Sequence, residues 1–239
     1  MSPRLNIQAT IVAERSFPIC GRYYIDSQTG YEIIKLLKEI DRRLTKNAGQ
    51  LSNTNRPPTQ LPNTFLEQTK KAWASGFADI HPKDPAAVLY QRGPFVLPES
   101  MTWGFPGFDK NKLIINARAE SAADKKIFRE SVRHQRCIIP AKGFYEWNSR
   151  KEKSTFLRGD GRILLMGGCF KLFGSEPRFV ILTAPADKTV SPVHHRMPLI
   201  FEPSEAALWI CDDSFAQHIL QSTADRAGNG KTNSVLQRK

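Results

Sequence analysis

Two apolar runs in the last third of the chain constrain its fold most: Arg162-Ile163-Leu164-Leu165-Met166-Gly167-Gly168 and Arg178-Phe179-Val180-Ile181-Leu182-Thr183. Short aliphatic runs of this kind, bounded by charge, are the pattern of buried strands. Weaker strand signals lie at Ala87–Tyr90, Leu113–Asn116, Cys137–Pro140, Phe144–Trp147 and Leu199–Phe201. Helices are fewer. Thr29-x-x-Glu32 reads as a capping box ahead of Ile33, Leu36, Leu37, Ile40 and Leu44 at helical spacing. Ser121-x-x-Asp124 predicts a second helix running to about residue 133, Pro203 opens a third carrying Leu208, Trp209 and Ile210, and a short one covers Phe215 to Leu220. Many strands with few helices predict an α+β fold: a single domain around a curled, barrel-like, mainly antiparallel β-sheet with flanking helices.

The 239 residues, 40% of them hydrophobic, are enough to bury one sizeable core. That domain is expected over 20–221, after an N-terminal extension or propeptide at 1–19. Residues 46–64 are rich in Asn, Gln and Pro and read as a mobile insertion, and 222–239 read as a disordered basic tail. No apolar run reaches the length of a membrane helix, and residues 1–19 lack the apolar core and cleavage site of a secretory signal, so a cytoplasmic monomer without membrane contact is expected. A net charge of +12 favours a polyanionic partner, since lysine and arginine gain affinity by displacing the counterions of phosphates; it also serves solubility. The four cysteines stand far apart with no C-x-x-C pair, which argues against structural zinc, and no metal or organic cofactor is implied. Cys137, Cys169 and Cys211 read as core residues.

Cys20 is different in setting, because it precedes Gly21-Arg22 at the entry to a strand. A free cysteine is ordinarily a small buried hydrophobe. Three later stretches add to it: Asn116-Ala117-Arg118-Ala119-Glu120, Gly143-Phe144-Tyr145-Glu146-Trp147 and His194-His195-Arg196-Met197-Pro198. A thiol, an amide, a carboxylate and an imidazole, each set between strand-like runs, are the parts of a covalent active site. Met101 to Phe108 reads as an aromatic loop, either a core plug or a stacking surface.

In this order, CGRYYID (20–26), D-I-x-P (79–82), W-G-F-P-G (103–107), N-A-R-A-E-S (116–121), R-C-I-I-P-A-x-G-F-Y-E-W (136–147) and H-x-R-M-P (194–198) resemble the SRAP (SOS response-associated peptidase) family, over roughly residues 20–213. The resemblance implies an α+β domain that binds single-stranded DNA and captures abasic sites covalently in the DNA damage response. In the family the cysteine is the first residue of the mature chain; its amine forms a Schiff base with the opened sugar and its thiol closes a thiazolidine. Carried over, Cys20 is the nucleophile, Asn116 positions amine and sugar, Glu146 is the acid/base and His194 shuttles protons. Arg22, Arg118 and Arg196 would grip phosphates. Trp103 and Phe105 would stack on bases or, as the alternative, pack in the core.

The chemistry suits these residue types. Imine formation needs a neutral amine, and an α-amino group titrates far closer to neutrality than lysine. A glutamate enclosed by Phe144, Tyr145 and Trp147 would have its pKa raised; otherwise it is an ordinary surface carboxylate. Successive side chains alternate along an extended segment, so one of His194 and His195 faces the site, and the H-x-R-M-P register selects His194. The sequence departs from the family in placing Ile19 before Cys20, since an acylated nitrogen forms no imine. Initiation beside Ile19, removal of a propeptide, or loss of thiazolidine formation are the three accounts. Two other functions suit the same residues: a cysteine peptidase, cutting other chains or only itself before Cys20, and a non-covalent single-stranded DNA-binding module.

Overall fold

The computed structural model describes residues 20–50, 78–93, 95–109, 112–226 and 235–239, so the 1–19 extension and residues 51–64 of the expected insertion lie outside the described residues. The order is β1 (Arg22–Ile25), α1 (Ser27–Gln50), β2 (Ala78–Ile80), β3 (Pro85–Arg92), β4 (Phe95–Trp103), β5 (Phe105–Pro106), β6 (Leu113–Ile114) and β7 (Asn116–Arg118). Then come α2 (Ala119–Ala122), α3 (Arg129–His134), β8 (Arg136–Ala141), β9 (Gly143–Trp147), β10 (Lys153–Arg158), β11 (Leu164–Phe173) and β12 (Glu176–Pro185). The chain continues through β13 (Arg196–Pro198), β14 (Ile200–Phe201), α4 (Pro203–Cys211), α5 (Asp213–Arg226) and β15 (Leu236–Arg238).

The two strongest runs form β11 and β12, which pair antiparallel from Gly168↔Ile181 to Phe173↔Glu176. That pairing closes a ring, because β12 also continues through β4, β3 and β8 back to β11. Only the short β12–β4 junction within it is parallel. A second sheet runs in the order β15-β10-β9-β1-β2, antiparallel throughout. The α+β fold around a barrel-like sheet is therefore present, with five helices among the described residues.

Alternation divides the apolar residues between two cores. Leu89, Ile138, Leu165 and Val180 pack with Ile33, Leu36, Leu37 and Ile40 of α1 and with Trp209 of α4. Their neighbours Val88, Ile139, Met166 and Ile181 face the other way, toward Tyr23, Phe144 and Phe156 of the five-stranded sheet. Each fully buried Leu, Ile or Phe contributes about 1.5–3 kcal/mol, so register is pinned on both sides of the barrel. The turn between β8 and β9 needs glycine for space: a Cβ on Gly143 would lie 2.6 Å from the Phe156 carbonyl oxygen and 2.6 Å from the Tyr24 ring.

Several local expectations are corrected. The cap of α1 is Asp26, not Thr29: Thr29 N–H donates to Asp26 Oδ1 (2.9 Å) and Asp26 N–H to Thr29 Oγ1 (3.0 Å). Glu32 is free of capping duty and instead accepts from the Ile163 amide at 2.9 Å. The helix predicted over 121–133 is broken into α2 and α3 by a turn at 123–128. Helix α1 runs through Gln50, so the stretch read as an insertion begins as helix. The tail read as disordered from 222 contains the last turn of α5 and the strand β15, whose Leu236 is buried and which pairs with β10. Residues 236–238, with one buried leucine, join an open strand edge by backbone pairing that composition does not show, and residues 227–234 lie outside the described residues.

Candidate active site

Cys20 lies in the turn entering β1 with φ +46°, a left-handed conformation that a non-glycine residue adopts at some cost. Its side chain is fully buried. Its backbone N–H donates to Glu146 Oε1 at 2.6 Å, which joins β1 to β9 at the point where the two sheets meet the second core. Glu146 itself is 2% exposed. Loss of solvent pushes its pKa up to about 8, against hydrogen bonds from the Cys20 and Trp147 amides that pull it down. Near neutral pH the group is therefore a carboxylic acid, able to give a proton and, having given it, to take one back. Burial, and then the Glu146 carboxylate, push the Cys20 thiol well above its usual range.

Asn116 opens β7, beside Ile181 of β12, and Arg118 at the other end of β7 is exposed. His194 is half-buried and His195 exposed, but their ring centroids lie only 4.4 Å apart in the bend before β13, so the pair does not alternate across an extended segment as expected. His194 Nδ1 faces the Arg196 backbone, 3.0 Å from its amide nitrogen and 3.3 Å from its carbonyl oxygen. Burial lowers the His194 pKa from its ordinary value, and the charges of His195 and Arg196 act in the same direction.

The fold thus brings Cys20 and Glu146 into direct contact; Ile115 and Val193, which precede Asn116 and His194 in the chain, belong to the apolar cluster that holds Cys20. Two residues expected to touch a ligand, Trp103 and Arg196, are buried. Trp103 is fully buried; its indole N–H donates to the Ile115 carbonyl at 3.0 Å, its ring stacks on Phe179 at 6.2 Å, and it is a core plug. Phe105 is also buried, against Phe128 and Phe173. Arg196 is engaged by Glu120 at 2.5 and 2.9 Å and by the Thr183 carbonyl at 2.6 Å. Burial alone would raise the Glu120 pKa, but the Arg196 hydrogen bonds and charge hold it below the usual carboxylate value. This arginine braces the segment carrying His194 rather than reaching a phosphate.

Arg22 remains one-third exposed, 3.7 Å from Asp79 and with its guanidinium 5.7 Å from the Trp147 ring centre. The aromatic loop read as either a core plug or a stacking surface is both: Trp103 and Phe105 are buried, and Phe108, not singled out by the motifs, is exposed. Phe108 stands fully exposed at the tip of the β5–β6 hairpin, next to Asp109 and two residues past the Pro106 that ends β5. The signal that marks it is the Gly-Phe-Asp tripeptide inside a two-stranded ribbon, where an aromatic side chain has nothing to pack on.

Comparison with known proteins follows the same layout. The SOS response associated peptidase (SRAP) family matches residues 19–235. The chain belongs to the SRAP family. Over 143 residues it is 29% identical to the abasic site processing protein YedK of Escherichia coli, covering 56% of this chain and 64% of that protein. It is 24% identical over 197 residues to the abasic site processing protein YMR114C of Saccharomyces cerevisiae, covering 77% and 53%. The chain therefore spans under two thirds of the length of these relatives. A phage-related protein of Bordetella bronchiseptica shares the fold, with TM-score 0.55 at 18% identity over 70% of this chain and 85% of that one. Among the described residues of this SRAP protein no helix is long and apolar enough to cross a membrane, and no group of His, Cys, Asp and Glu is placed to hold a metal ion.

Proposed function

We propose that this SRAP protein captures abasic sites in single-stranded DNA by a covalent link through Cys20. The observation that carries the reading is the 2.6 Å contact between the Cys20 nitrogen and Glu146, a carboxyl group whose pKa burial pushes up to about 8. A nitrogen held against an acid of that strength is the arrangement that imine formation needs. Relatives named as abasic site processing proteins support the substrate.

The reaction requires Cys20 to be the first residue, so that its nitrogen is an amine. The amine adds to the C1′ aldehyde of the ring-opened sugar; Glu146 gives its proton to the departing hydroxyl, which leaves as water, the resulting carboxylate takes the nitrogen's proton back, and the neutral imine forms. The sulfur then bonds to the imine carbon, the sulfhydryl proton passes to nitrogen, and a thiazolidine results. Asn116 orients the sugar, and His194 moves protons on the phosphate side. Arg22 and Arg118 meet phosphates, and Phe108, not Trp103, is the base-stacking aromatic. The peptidase reading has less support, because thiolate attack calls for a lowered thiol pKa and a partner base. Here the thiol is raised, and no hydrogen bond joins the Cys20 sulfur to His194 among the described residues.

The test uses the chain beginning at Cys20, a chain retaining residues 1–19, and a Cys20→Ala variant, each incubated with a single-stranded oligonucleotide bearing one abasic site. The expected result is a heat-stable protein–DNA band with the first protein alone, and its intact mass equal to the sum of the two less one water. Equal, purely salt-sensitive retention of abasic and intact strands by the first and third proteins would overturn it in favour of a binding module.

A further inference from the structure

Tyr23 carries the one phenol in the second core that is held at 1% exposure, and its hydroxyl oxygen makes no hydrogen bond. An unsatisfied buried hydroxyl destabilises a fold, and a native structure that retains one at a functional site calls for a reason. Sheet geometry shows where it sits. Tyr23 pairs with Phe144 across β1–β9 and with Ile80 across β1–β2. Paired residues share a face, and Glu146, two residues along from Phe144, is on that face as Tyr23's diagonal neighbour. Cys20 is three residues before Tyr23 and is fastened to Glu146 by its nitrogen. The Tyr23 ring is fixed against Trp103, with centroids 5.2 Å apart.

The titratable groups near enough to act on the Tyr23 phenol are Cys20 from the turn before β1, Asp84 from the β2–β3 turn and Cys137 from β8. Asp84 is engaged, accepting from the His81 amide at 2.8 Å with the His81 ring 3.5 Å away. The Cys137 thiol is fully buried and pushed far up by its surroundings, which leaves it inert. Cys20 is left. Its sulfur must lose a proton in a site where burial and Glu146 both resist a negative charge, so a fixed donor beside it is what the chemistry lacks. Burial also keeps the phenol protonated, which makes Tyr23 a donor throughout rather than a base.

We propose that the Tyr23 hydroxyl is a further residue of the site, donating a hydrogen bond to the Cys20 sulfur as that sulfur ionises and adds to the imine carbon. The step rests on the crosslinking reading above. Tyr23 keeps its proton, the sulfhydryl proton goes to the imine nitrogen as the C–S bond forms, and nothing is oxidised or reduced.

The variant is Tyr23→Phe, which deletes the hydroxyl and keeps the ring. Three quantities are read in it and in the unaltered protein: the melting temperature, the pH half-point of Cys20 alkylation by iodoacetamide followed by peptide mapping, and the rate of crosslinking to an abasic oligonucleotide. The variant is expected to melt no lower, to alkylate with its half-point about one pH unit higher, and to crosslink about tenfold more slowly. A variant with an unchanged half-point overturns the proposal: if crosslinking is also unchanged the hydroxyl is only a packing defect, and if it slows the hydroxyl serves the sugar instead of the sulfur. A shifted half-point with no crosslinking by either protein upholds the Tyr23–Cys20 link and defeats the crosslinking reading, so the two failures are told apart.

Discussion

Replacing Glu146 by glutamine isolates the energetic cost of the buried acid. In the folded chain that retains residue 19 its pKa is about 8, against an ordinary 4.5. The fold thus binds this proton more tightly than the unfolded chain does, and the stabilisation is complete below about pH 4.5 and lost as pH rises through about 8. Each unit of difference is worth about 1.4 kcal/mol. Between about pH 5 and pH 8 the unfolded group releases its proton almost fully while the folded one has released about half. The loss is then about 3–4 kcal/mol, with no discount for screening because the side chain is almost wholly buried. Glutamine keeps an Oε1 acceptor for the Cys20 amide but cannot titrate. Urea unfolding across that range is expected to show wild-type stability falling by about this amount relative to Glu146→Gln. Parallel curves for the two proteins would refute the reasoning, since they would mean that Glu146 is ionised and solvated in the native state.

Exchanging roles between two aromatic residues gives a second check. Trp103→Ala is expected to cost about 3–5 kcal/mol of stability, as for other buried large-to-small changes, whereas Phe108→Ala should leave the melting temperature unchanged and weaken single-stranded DNA binding by about 1–3 kcal/mol. The opposite pattern in calorimetry and fluorescence titration would return Trp103 to the surface. Gly168→Ala would press a methyl group on the Ile139 side chain and within 2.6 Å of the Val180 carbonyl oxygen. Because one of those atoms is backbone of the barrel, a loss of about 1–3 kcal/mol is expected in chemical denaturation.

What the sequence made legible follows from which forces are local. β11, β12 and the apolar face of α1 carry their burial as periodicity, and all three are where the pattern placed them. The Asp26 cap was missed because Thr29-x-x-Glu32 offers the same chemistry three residues later, and only the path of β1 into the helix decides between them. Trp103 and Arg196 illustrate the larger limit. An aromatic residue in a Gly- and Pro-rich stretch and an arginine beside a histidine both suit a ligand, yet Phe179, Ile115, Glu120 and Thr183, distant in sequence, are what bury them. The contact of Cys20 with Glu146 is equally non-local, and motif order rather than periodicity pointed to it.

That last contact spans 126 residues. While the chain is being synthesised the thiol emerges long before the acid that is to work beside it, and the strand β15 that completes the same sheet comes later still. On the crosslinking proposal, a nascent or unfolded chain would lack the buried acid beside Cys20 and keep only the intrinsic reactivity of a solvated cysteine. On that proposal reactivity would be conferred by folding itself, and a lesion that opens the sheet would disarm the protein before it degrades it.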